Sequence, residues 1–117
     1  MKLALSFLSG LVAIALCANA QIFFTNKINS ANAAKIASRL KTGMSENEMI
    51  SILATNGLTN GISIGSRVGA NRCYFLLDGY VLSLSVNINP NGWTNSILRS
   101  ACIESNGTKI SITLTNR

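Results

Sequence analysis

Two Asx-Gly pairs set between alternating runs constrain this chain more than any other feature. Asp78-Gly79 lies between RCYFLL and YVLSLSVNI, and Asn106-Gly107 lies between SILRSACIE and KISITLT. A two-residue hairpin loop needs positive φ at both central positions, and Asx-Gly tolerates that better than most pairs. Strict apolar/polar alternation on each side marks strands with one buried face. From Tyr80 to Ile88 the apolar set is Tyr80, Leu82, Leu84, Val86 and Ile88, against Val81, Ser83, Ser85 and Asn87. With a two-residue loop at Asp78-Gly79, Leu77 faces Tyr80, Phe75 faces Leu82 and Cys73 faces Leu84, so Cys73 is expected on the core side. The same count around Asn106-Gly107 pairs Ile103 with Ile110 and Cys102 with Ser111, turning Cys102 outward and Ile110, Ile112 and Leu114 inward.

Upstream the period changes. In SANAAKIASRL, residues Ala33, Ile36, Ala37 and Leu40 form one narrow helical stripe, and Gly43 ends that turn. A second helix is announced by Ser45 followed three places later by Glu48, the pattern of a capping box. Its apolar face is Met49, Ile52 and Leu53, and Gly57 supplies a left-handed stop. The stretch from Gly57 to Asn71 holds glycines at 57, 61, 65 and 69 with a brief Ile62, Ile64 alternation, and reads as a turn-forming linker. The expected fold class is α+β: two short N-terminal helices packed on a four-stranded antiparallel meander sheet.

The first twenty residues, MKLALSFLSGLVAIALCANA, match a secretory signal: one cation at Lys2, an apolar run and the small-residue pattern Ala18-Asn19-Ala20. Cleavage is expected between Ala20 and Gln21, leaving an arm over residues 21–29 and one helix-helix-sheet domain over 30–117. The apolar run is shorter than the roughly 18 to 20 residues that span a bilayer, so no transmembrane segment is expected in the mature chain. A lipid anchor at Cys17 is not expected, since lipoprotein signals resemble one another in a small residue before that cysteine and Leu16 stands here. The expected location is periplasmic or secreted. The net charge is +6, but the cations from Lys27 to Arg117 are scattered singly. That is unlike the clustered footprint of a nucleic-acid reader, and no nucleic acid is expected as a partner.

Catalytic chemistry finds little to work with. The chain has no histidine, which removes the usual general base and the commonest metal ligand. Among the acids, Glu46 and Glu48 open a helix, where the dipole favours negative charge, and Asp78 occupies a turn. No catalytic residues, metal site or cofactor are expected, and Asn106-Gly107-Thr108, although a glycosylation acceptor by pattern, is read as a turn. For Cys73 and Cys102 two arguments conflict. Export favours a disulfide, whereas opposite faces on non-neighbouring strands exceed the roughly 7 Å Cα limit of a bridge.

LKTGMSENEMISIL resembles the helix opening of the SmpA/OmlA (BamE)-like family and of the structurally related β-lactamase inhibitor proteins, and YFLLDGYVLSLSV resembles that family's central hairpin. The resemblance spans roughly residues 34 to 115. It implies a helix-helix-sheet domain used for protein–protein contact, with no catalytic residues to transfer. The outer sheet face is the expected contact surface: Arg72, Tyr74, Leu76, Val81, Leu98 and Cys102 by parity, with Trp93 in the NPNGWTN loop. Tyr, Trp and Arg are enriched at the energetic centres of interfaces. The expected function is therefore an exported protein-binding or envelope-assembly module, with a secreted enzyme inhibitor and an edge-paired homodimer of unknown role as alternatives.

Overall fold

A computed structural model describes residues 25–65, 69–87 and 97–116. The signal and its cleavage site at Ala20 and Gln21, and the Trp93 loop, lie outside the described residues. In chain order the elements are α1 (Ser30–Ser38), β1 (Lys41–Thr42), α2 (Glu46–Thr55), β2 (Ile62–Gly65), β3 (Gly69–Phe75), β4 (Val81–Asn87), β5 (Ile97–Ser105), β6 (Thr108–Ile112) and β7 (Thr115–Asn116). Strands β2 to β6 form one antiparallel meander in sequence order, and β1 pairs in parallel with β7.

The helices end where their caps dictate. Asn29 Oδ1 accepts from the Asn32 amide to open α1, and Ser45 Oγ accepts from the Glu48 amide to open α2. After α2 the Leu58 amide donates to the Leu53 carbonyl and the Gly57 amide to the Ala54 carbonyl. Together with φ +94° at Gly57 this is a Schellman stop, and it turns Leu58 into the core. Ala33, Ala37, Met49 and Leu53 face the sheet and are fully buried with Leu82, Leu84 and Leu98.

Three local events correct the expected sheet. The first is an extra strand: Ile62–Gly65 pairs along β3, so the sheet has five strands and the glycine-rich stretch is not merely a linker. The second concerns the Asp78-Gly79 turn. The Leu76 amide donates to the Tyr80 carbonyl and the Gly79 amide to the Leu76 carbonyl, so the loop is three residues long, with Gly79 at φ +84°. A type I turn followed by a left-handed residue is the usual three-residue solution, and Asp-Gly satisfies it as well as the two-residue one. One added loop residue moves the pairing to Tyr74↔Leu82 and Arg72↔Leu84, and Cys73 now faces Ser83. Every β3 side chain therefore changes face. Tyr74 and Leu76 lie in the core, each 1% exposed, while Leu77 is 64% exposed.

The third event is a bulge. Ser85 pairs with Ser100 but Val86 pairs with Leu98, leaving Arg99 without an opposite residue on β4. The skipped residue turns Leu98 inward, where it is fully buried. Its amide donates to the Met44 carbonyl and its carbonyl accepts from the Gly43 amide, so the loop between the helices holds this register. The second hairpin behaves as expected: Asn106 and Gly107 both have positive φ, and Ile103↔Ile110 and Cys102↔Ser111 pair as counted. Ile110 lies on the helix side yet is 56% exposed, because it stands at the sheet edge.

The first residue of α1 and Ile28 of the arm are both held to the turn of the first hairpin. Asp78 accepts from the Ser30 amide at 3.0 and 3.2 Å and from its hydroxyl at 2.6 Å, placing a carboxylate at the start of α1. The Leu77 amide donates to the Ile28 carbonyl at 2.9 Å. Burial pushes the Asp78 carboxyl up, but the Ser30 hydroxyl and amide, with the amides of Asp78 and Tyr80, outweigh it and hold the pKa below its ordinary value. A carboxyl lowered on folding stabilises the fold above its unfolded pKa of roughly 3.9 and loses that contribution as pH falls through the folded value. Thermal melts are expected to show wild type above Asp78→Asn at about pH 6, with the gap closing near pH 2. A gap independent of pH would contradict this contact.

Candidate functional site

The predicted contact surface divides between the two faces of the sheet. Tyr74 and Leu76 are core residues. Arg72 shares their side of β3, half-buried, where its Nε donates to Tyr74 Oη at 2.8 Å and its guanidinium lies 5.6 Å from the ring centroid. Gly61 is required here: a Cβ at that position would stand 2.7 Å from the Tyr74 ring and 2.9 Å from Arg72 Nε. Burial pushes the Tyr74 phenol above its ordinary pKa, Arg72 opposes this, and the charge of Glu46 adds to it. Tyr74 and Leu76 are thus buried in the core, and Arg72 is held against the Tyr74 hydroxyl.

Val81 stays on the outer face, as expected, beside Phe75. Cys73 joins it there. Cys73 pairs with Ser83, Ser83 with Cys102 and Cys102 with Ser111, so one row crosses four strands on the face away from the helices. The thiols thus share a face, where opposite faces were expected, and neither is in a disulfide. Two strand spacings of about 4.8 Å separate their backbones by roughly 10 Å, beyond the span of a bridge. Cys102 is buried and donates to Glu104 Oε1 at 3.4 Å. Burial first, then the charge and hydrogen bond of Glu104, push its pKa up to about 11, so at neutral pH it is a protonated donor and a poor nucleophile. Glu104 in turn lies 3.9 Å from Lys109 Nζ, across the β5–β6 pair.

A different surface is open. Between α1 and edge strand β6 runs a groove of about 470 Å³ whose walls include Ala31, Ala34 and Lys35 from the helix and Ile103, Ile110 and Ile112 from the sheet. Helix spacing places Ala31, Ala34 and Lys35 on one flank of α1, and the two alanines leave the space that larger side chains would fill. Among the described residues Lys35 is the one charge on its lining. Sequence parity turns Ile110 inward correctly, but the groove itself depends on how far α1 reaches across the strands. The pattern of small residues facing that edge was the available signal.

Among the described residues no group of three metal-ligating side chains is present, and no described helix is long and apolar enough to cross a membrane. Compared with protein-family models, curated proteins and solved structures, the chain matches none of them.

Proposed function

We propose that this chain is an exported, non-catalytic protein-binding module whose contact surface is the groove between α1 and β6. The observation that carries this reading is Ile110, 56% exposed at the rim of a mostly apolar groove. An exposed isoleucine with an adjacent apolar hollow marks a surface that gains by being covered, since each fully buried aliphatic side chain contributes about 1.5–3 kcal/mol. The secretory signal supports an envelope or extracellular partner, and the SmpA/OmlA-like resemblance of LKTGMSENEMISIL supports a role in protein contact rather than chemistry.

The test is site-specific photocrosslinking from Ala34 in cells that export the protein. The expected result is one discrete adduct, lost in Ile110→Asp while the melting temperature stays within a few degrees. Adducts unchanged by Ile110→Asp, or none at all, would refute the assignment.

A further inference from the structure

The β5–β6 hairpin closes on a two-residue turn, so Ser105 and Thr108 flank it as a hydrogen-bonded pair, and Ile103/Ile110 and Ala101/Ile112 repeat that pattern. The intervening residues, Lys109 and Ser111, consequently direct their backbone N–H and C=O groups away from β5, toward the open edge. No described residue pairs with β6 on that side. The edge and the groove are contiguous: Ile110 is on the strand whose outer edge is open and also on the wall of the hollow beside α1. An unpaired strand beside a helix, with pockets between them, is the geometry in which an extended peptide gains main-chain hydrogen bonds from the edge and specificity from the groove.

Resting on the protein-binding reading above, we infer that β6 is a strand-addition site for an extended, apolar and acidic segment of a partner protein. Its backbone pairs with Lys109 and Ser111, its apolar side chains cover Ile110 beside Ala31 and Ala34, and a carboxylate meets Lys35. Charge selects this occupant over a second copy of the chain. Two copies joined along β6 would bring both Lys35 ammonium groups into one shared groove whose described lining holds no acid. The net charge, +6 for the full chain and +5 once Lys2 leaves with the signal, also favours an acidic partner. On the outer face Lys109 is already beside Glu104, whereas Lys35, on the groove lining, has no ion-pair partner among the described residues.

Displayed random heptapeptides selected on the purified protein provide the probe. Enriched peptides are expected to hold β-branched residues next to an Asp or Glu. Proline at Ser111 removes an N–H that the β5 ladder does not use, a position where edge strands tolerate it. Ser111→Pro is therefore expected to keep the fold and weaken the selected peptides tenfold or more. N-methylation at alternate peptide amides should do the same while the intervening amides tolerate it, and this arm stands even if Ser111→Pro fails to fold. Lys35→Glu should reverse the preference for acid. Peptides held equally by wild type and Ser111→Pro and indifferent to N-methylation, or a selection that yields none, would overturn strand addition. Sedimentation as a dimer that Ser111→Pro dissolves would overturn it in favour of self-pairing. The Ile110→Asp crosslinking result is read separately, so the module can survive the loss of this binding mode.

Discussion

Tyr74→Ala is expected to lose about 3–5 kcal/mol of stability, the range for truncating a buried aromatic. Denaturant titration would measure it, and in a domain whose whole stability is of order 5–15 kcal/mol much of the protein would then unfold on mild heating. The reason is the three-residue loop at Leu77, Asp78 and Gly79. It places Tyr74 opposite Leu82, under Gly61 and among the buried residues, with its hydroxyl accepting from Arg72. A two-residue loop would put the same ring in contact with solvent, and truncation would then cost well under 1 kcal/mol. Tyr74→Phe separates the two parts of the effect. It keeps the ring and removes the acceptor, so it should cost about 1 kcal/mol. A Tyr74→Ala loss no larger than that of Tyr74→Phe would show that the ring is outside the core.

Asn26→Asp is the second large effect, and it concerns a residue that no motif marks. Asn26 is the buried polar side chain of the described core margin, 3% exposed, and its amide is fully engaged. Nδ2 donates to the carbonyls of Asn60 and Phe75 at 3.0 and 3.2 Å, and Oδ1 accepts from the amides of Thr59 and Asn60 at 3.1 and 3.2 Å. Its backbone amide donates to Phe75 as well, at 2.8 Å. One side chain thereby ties the arm, the link after α2 and the end of β3. Replacing the NH2 by a carboxylate oxygen turns two hydrogen bonds into contacts between acceptors and buries a charge, which should cost about 3 kcal/mol or more at neutral pH. The cost should shrink as pH falls and the new carboxyl takes a proton, since it can then donate once. Urea midpoints at pH 7 and pH 4 would measure the difference, and an Asn26→Asp penalty that is small, or equal at both values, would refute the clamp.

The register of β3 departs from expectation although the local signal for a turn is real. Asp78-Gly79 does form a turn, and Gly79 does take positive φ. The pair is compatible with loops of two or three residues, and the energetic difference between them is small at the turn itself. It becomes large through contacts made elsewhere in the fold. The three-residue loop buries Tyr74 and Leu76, lets Asp78 reach the first turn of α1 and brings the Leu77 amide to the Ile28 carbonyl. Leu98 departs from simple parity for a similar reason, since the bulge at Arg99 answers to Met44 and Gly43 in a distant loop. Of the candidate site, the inward aim of Ile110 was legible, whereas the hollow beside it was not.

What the amino-acid sequence determined by itself is everything settled within a few residues: the caps at Ser45 and Gly57, the helical stripe of Ala33 and Ala37, the alternation of Leu82, Leu84 and Val86 along β4, and the register of the Asn106-Gly107 hairpin. Each of these answers to backbone geometry or to amides only a turn away. Tertiary structure alone decided which face of β3 is buried, where β5 bulges, that Ile62–Gly65 is a strand, and that a groove remains between α1 and β6. Those outcomes turn on burial across the fold, where a shift of one residue exchanges whole faces and local preference hardly distinguishes the alternatives.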